Sequence, residues 1–129
     1  SIVTSALGLA PGAPCVRLEI VSSADKRPIS RSTSYFPADR FAGMAEAYEE
    51  TRSITASFRN LGVADYVRRS TEISAIHAEG DDMRQLKLSP GAIILVAMAV
   101  NTDLDGTPIQ FSRTRFAADR VKLTVEPDA

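Results

Sequence analysis

Three groups of side chains have types and spacing suited to holding an anion. Ser53-Ile54-Thr55 open a helical segment, where free N–H groups and the positive dipole end favour a phosphate, phosphonate or carboxylate. Plain capping of that helix by Ser53 is the simpler reading and stays open beside it. Arg69 lies in an extended stretch where Val67, Thr71, Ile73 and Ala75 share its face. An arginine on an apolar face needs a negative partner, either a carboxylate of the chain or a bound anion. Gln110, Ser112, Thr114 and Phe116 recur at the period of a strand, mirrored by Ser30, Ser32, Ser34 and Phe36. A polar face ending in an aromatic either meets water or lines a pocket. Arg113 and Arg115 fall on the opposite face and are left unassigned between solvent, cross-strand acids and a subunit contact.

No catalytic constellation accompanies these groups. The one histidine, His77, reads as a strand-end surface residue, and no Gly-x-Ser-x-Gly elbow, Walker loop or dinucleotide glycine pattern occurs. A single cysteine, Cys15, excludes an intrachain disulfide and a Cys-rich zinc site. Asp81-Asp82 read as dipole partners opening a helix rather than as metal ligands. The expectation is therefore no catalytic residue, no metal and no cofactor. Lys and Arg number 15 against 16 Asp and Glu, so the chain lacks the basic excess with which a domain grips duplex DNA unaided. No apolar run approaches the ~18 residues that span a bilayer, and Ser1 to Leu7 lacks the form of a signal peptide. A cytoplasmic location is expected. The start without Met, inside an amphipathic stretch, reads as that of an excised fragment.

The elements that position these groups follow from an internal repeat. Leu7-Gly8-Leu9-Ala10-Pro11-Gly12-Ala13 returns as Leu86-Lys87-Leu88-Ser89-Pro90-Gly91-Ala92, with five of seven residues identical. The thirteen residues from Pro28 to Arg40 match Pro108 to Arg120 at seven positions, with one extra residue absorbed in a turn. Two units are too few for a solenoid. They predict one domain, residues 1–129, of two related halves, each a short helix, a Pro-Gly break and a β-hairpin. Val16, Leu18 and Ile20 alternate with polar residues, and Ile93 to Val100 is apolar on both faces, as in a central strand. Asp105-Gly106 signals a hairpin. Val121, Leu123 and Val125 alternate with Lys122, Thr124 and Glu126, predicting a last strand. Between the halves, two helices are predicted, one presenting Phe41, Met44, Ala45 and Tyr48, the other Ile54, Phe58 and Leu61 with Gly62 as its stop. The fold class is α+β, a mostly antiparallel sheet of about six strands packed with short helices.

The motifs carry a resemblance. Leu7-x-Leu9-x-Pro11-Gly12-Ala13, then a strand, Arg27-Pro28-Ile29 and Ser34-Tyr35-Phe36-Pro37, resembles the start of a UTRA domain. Ser53-Ile54-Thr55 takes the place of that family's Ser-Leu-Tyr helix start. Phe111-Ser112-Arg113-Thr114-Arg115-Phe116 with Ala118-Asp119-Arg120 resembles its closing strand. These are the effector-binding and dimerisation modules of HutC-type GntR transcription regulators. The closing run and Arg69-x-Thr71-x-Ile73 are most similar to the PhnF branch, linked to phosphonate or phosphate uptake. The resemblance spans nearly the whole chain. It implies a chorismate-lyase-like fold, a homodimer, and a winged helix-turn-helix domain before Ser1 through which alone DNA is bound. In relatives that sense amino-sugar phosphates, a helix-start serine meets the phosphate and an acid and an aromatic flank the sugar. Ser53 matches that serine, Gln110 falls at the acid, Phe116 at the aromatic and Ser32 at a further acid. The arginines of their first strand give way to Ile20-Val21-Ser22-Ser23. With these departures from the family and Arg69 supplying charge, the expected effector is a smaller anion, phosphonate- or phosphate-like, held by Ser32, Ser53, Thr55, Arg69, Gln110, Ser112 and Phe116. A chorismate-lyase-like enzyme and a dimerisation module without ligand stay open as alternatives.

Overall fold

The computed structural model describes residues 1–126. Strands β1 (Cys15–Ala24), β2 (Arg27–Pro37), β3 (Tyr66–His77), β4 (Ile93–Asp103) and β5 (Pro108–Ala117) form one antiparallel sheet in the order β1-β2-β5-β4-β3. Helices α1 (Ile2–Ala6) and α5 (Gly80–Leu86) precede the two hairpins, and α2 (Ala38–Phe41), α3 (Met44–Thr51) and α4 (Ile54–Asn60) link the halves. A single 3-10 turn, Ala118–Arg120, follows β5.

The repeat is visible as a pseudo-two-fold. Its axis passes through the β2–β5 pair Thr33–Arg113, because these positions are equivalent in the repeat and stand opposite each other. Ser34–Ser112 on one side is matched by Thr114–Ser32 on the other. Each half begins the same way: Leu7 and Leu86 are both buried, and Gly12 and Gly91 turn the chain at φ +81° and +85°. Glycine adopts that region without the Cβ clash that other residues suffer.

One face of the sheet is covered by α2, α3 and α4. Phe36, Phe41, Met44, Phe58, Val63 and Ile109 form its buried core, with Val16, Leu18, Ile54, Leu61 and Tyr66 packed around them. The other face carries α1 and α5, with different chemistry in each half. Under α1, Val3 and Leu7 pack on the stacked pair Tyr35 and Phe111. The repeat equivalents of Val3, Phe111 and Tyr35 are Asp82, Arg31 and Arg115. Under α5, those three residues form a buried ion triad.

Three expectations are corrected. The sheet has five strands, not six: residues 121–126 pair with nothing described, and Val125 is 84% exposed. Alternation alone does not make a strand where no neighbouring edge receives it. The linking helices number three, since Gly43 separates α2 from α3, and Ala47 rather than Ala45 is buried on α3. Third, β3 is exposed along nearly its whole length, and apart from Tyr66 at its start its apolar residues cover no core.

Candidate functional site

The face beneath α3 and α4 holds the polar ladder. Gln110, Ser112 and Ser34 are buried, and Ser32, Thr114 and Phe116 are half-buried farther along the same face. The ladder is therefore largely withdrawn from solvent, and Ser32, Thr114, Gln110 and Ser34 find side-chain partners within the protein. Ser32 and Thr114 share a hydrogen bond of 3.1 Å between β2 and β5. Gln110 Nε2 donates to Ser34 Oγ at 3.1 Å, and its Oε1 accepts from Asn101 Nδ2 at 2.8 Å. Asn101 Oδ1 in turn accepts from Arg68 Nε at 2.7 Å, and Arg68 Nη1 donates to Thr71 Oγ1 at 3.0 Å. A continuous relay thus crosses four strands and ends on an exposed guanidinium.

Arg68, not Arg69, reaches this face. The register of β3 on β4 shifts between Arg68 and Ser70, leaving Arg69 as the extra residue of a bulge. One extra residue inverts the alternation of faces. Arg68 therefore joins Thr71, Ile73 and Ala75, while Val67 moves to the other face. Arg69 is exposed and takes part in none of the side-chain hydrogen bonds or ion pairs among the described residues, so no buried lone charge exists there.

The start of α4 sits at the rim. Ser53 Oγ accepts from Ala56 N–H at 3.1 Å, which is the capping reading, and its own hydroxyl proton stays available for donation. Thr55 Oγ1 bonds the Tyr66 hydroxyl at 2.7 Å, and Tyr66 stands two residues from Arg68 on the same strand. Buried Ser57 and Thr51 stitch α3 to α4 through the Ser53 carbonyl, at 2.7 and 3.0 Å. The structure thus brings Gln110, Ser112, Ser32 and Phe116 onto one face with Ser53 and Thr55 at its edge, and leaves Arg69 outside. Arg68 and Asn101 were missed from sequence. Asn101 had a signal, as the polar residue that ends the apolar run of β4. Arg68 had none, because parity along β3 depends on where the bulge falls.

The comparisons with known proteins agree with this architecture. The model of the UTRA domain matches residues 1–122. The chain belongs to the UTRA domain family. This UTRA domain is 55% identical over 124 residues to an uncharacterised HTH-type transcriptional regulator, RB1450, of Rhizobium meliloti, covering 96% of the chain and 51% of the relative. It is 25% identical over 123 residues to the HTH-type transcriptional repressor PhnF of Mycolicibacterium smegmatis, covering 95% of the chain and 50% of PhnF. The crystal structure of PhnF from Mycobacterium smegmatis superposes with a TM-score of 0.90 at 24% identity, over the whole chain and 57% of PhnF. The chain spans about half the length of the curated relatives it matches. The α+β fold expected from the sequence is that of these domains. Among the described residues, no helix is long and apolar enough to cross a membrane.

Proposed function

We propose that this UTRA domain is the effector-sensing part of a GntR-type transcription regulator, binding a small phosphate- or phosphonate-like anion on the polar face of its sheet. The observation that carries the reading is the buried relay Ser34–Gln110–Asn101–Arg68. It fixes an arginine fork at one end of a polar face that runs on along β5 through Ser112 and Thr114, with Ser32 opposite Thr114, to Phe116. A guanidinium so oriented offers charge-assisted hydrogen bonds to an oxyanion at little further entropic cost. Ser53 and Thr55 bound the site, and Arg69, one residue from Arg68, contributes charge only from the bulge. DNA contact belongs to a helix-turn-helix domain of the kind named in the relatives, which bind as regulators rather than as catalysts.

Thermal unfolding with inorganic phosphate, methylphosphonate and sugar phosphates tests this. A ligand at one hundred times its dissociation constant stabilises by about 2.7 kcal/mol, a clear rise in Tm. The rise is expected to vanish in Arg68→Ala and to persist in Arg69→Ala. Gln110→Leu, which breaks the relay, is expected to reduce it. A rise that survives in Arg68→Ala, or no rise with any of these anions, defeats the reading. Turnover of chorismate would favour the lyase-like alternative instead.

The domain is proposed to act as a homodimer, since a two-fold effector module matches the palindromic half-sites that helix-turn-helix regulators read. The apolar run of β4 lends this no support, because β4 lies inside the sheet between β3 and β5. The support is now the outer edge of β3, twelve residues long, with Val67 and Ile73 about half exposed. An unpaired edge of that length is a template for another strand. Sedimentation at micromolar concentration is expected to show twice the 13.9 kDa chain mass. A monomer there would remove the proposal.

A further inference from the structure

The repeat carries an inference independent of the effector site. Arg120 drives its guanidinium into a seat of backbone carbonyls: Nη1 donates to Pro28 O at 2.7 Å and to Leu86 O at 2.6 Å, and Nη2 to Lys87 O at 3.1 Å. Its side chain is only 8% exposed. In the repeat, Arg40 is equivalent to Arg120, and Pro108, Leu7 and Gly8 are equivalent to the three acceptor residues. The structure places all four of these residues around one cavity of about 190 Å³. No N–H among the described residues reaches the carbonyl of Leu7 or Gly8.

Arg40 lines this cavity without filling it. Its Nη1 donates instead to Asp103 Oδ2 at 2.8 Å, with 42% of its side chain exposed. The twin of Asp103 is Ala24, since Ser23 stands opposite Pro28 as Thr102 stands opposite Pro108. Arg120 thus has no carboxylate at the corresponding place to draw it away, whereas Arg40 has one. A guanidinium matches several carbonyls at once because its donors form a rigid fork.

We propose that this cavity is a guanidinium-binding site, the twin of the seat that Arg120 fills, and that Arg40 is its occupant whenever Asp103 releases it. On Asp103, Arg40 joins α2 to the β4–β5 turn. In the seat it joins α2 to the end of α1 and the start of β5, so one side chain has two alternative anchors at the same end of the sheet.

The test is thermal unfolding of this chain with Asp103→Asn, alone and combined with changes at Arg40. The asparagine keeps an oxygen for the Asp105 and Thr107 N–H groups that Asp103 holds, so the turn is preserved. In the parent, Arg40→Ala is expected to lower Tm by less than about 2 °C, as for an exposed pair. In the Asp103→Asn background it is expected to lower Tm by roughly 4–8 °C, because three carbonyls then lose a charged donor. Arg40→Lys should not recover that loss, lacking the fork. If Arg40→Ala costs no more in the Asp103→Asn background than in the parent, the seat is not used and the proposal is wrong. A crystal structure of the Asp103→Asn variant decides independently of stability. Arg40 within hydrogen-bond distance of the Leu7 and Gly8 carbonyls upholds the proposal, and Arg40 in solvent overturns it.

Discussion

Asp82→Ala is expected to destabilise the domain by about 3–5 kcal/mol, a fall in Tm of roughly 10–20 °C. Asp82 is fully buried and accepts from Arg31 Nε at 3.0 Å, Arg115 Nη1 at 2.9 Å and the Glu79 N–H at 2.9 Å. Removing it leaves two guanidinium groups in partly dehydrated positions with no counterion, and also removes the capping box that opens α5. The converse change should cost far less. Replacing Asp82, Arg31 and Arg115 together by Val, Phe and Tyr copies the packing of the α1 half. Apolar replacements of buried ion groups are often neutral or stabilising, so this triple variant is expected to stay within about 2 kcal/mol of the parent. Urea unfolding of both variants checks the pair; a triple variant as unstable as Asp82→Ala would show that the two halves are not interchangeable in packing.

The same triad sets an acid limit. Burial pushes the Asp82 carboxyl up, but the Glu79 N–H and the two arginines outweigh it and hold its pKa below the ordinary carboxylate value. A folded pKa below the unfolded one gives stability that is present above about pH 4 and lost as pH falls through the folded value. The parent should therefore lose stability in acid more steeply than Asp82→Asn. Parallel pH profiles for the two proteins would show that the carboxylate is not the group responsible.

Phe58→Ala should cost a similar amount, about 3–5 kcal/mol. Phe58 is fully buried and meets Phe36, Phe41 and Tyr66 edge-on, with ring centroids 5.7, 5.3 and 5.1 Å apart. It is the point at which α4 is fastened to α2, β2 and β3 together. Truncation leaves a cavity among three aromatic rings and loosens the helix whose first turn borders the proposed anion site. The variant should lose both stability and any anion-induced rise in Tm. Denaturant unfolding with and without phosphonate separates the two effects, and a loss under about 1 kcal/mol would mean that the site collapses and refills.

The sequence by itself determined the two-half architecture. The identities between Leu7 to Ala13 and Leu86 to Ala92, and between Pro28 to Arg40 and Pro108 to Arg120, impose the same local turns on both halves. Leu7 and Leu86, and Gly12 and Gly91, then take the same roles. The period of two also placed Gln110, Ser112, Thr114 and Phe116 on one face, since alternation is a property of the strand itself. Tertiary structure decided what depends on partners distant in sequence. Whether residues 121–126 become a strand depends on a free edge, not on their alternation. Whether Arg68 or Arg69 faces the polar ladder depends on a bulge in the β3–β4 register, which no single strand's sequence states. Asp82, legible only as a helix-start acid, became a buried counterion because Arg31 lies 51 residues before it and Arg115 33 residues after. Pairings across such separations are fixed by the packing of the whole sheet, because only there do the desolvation cost and the compensating charges meet.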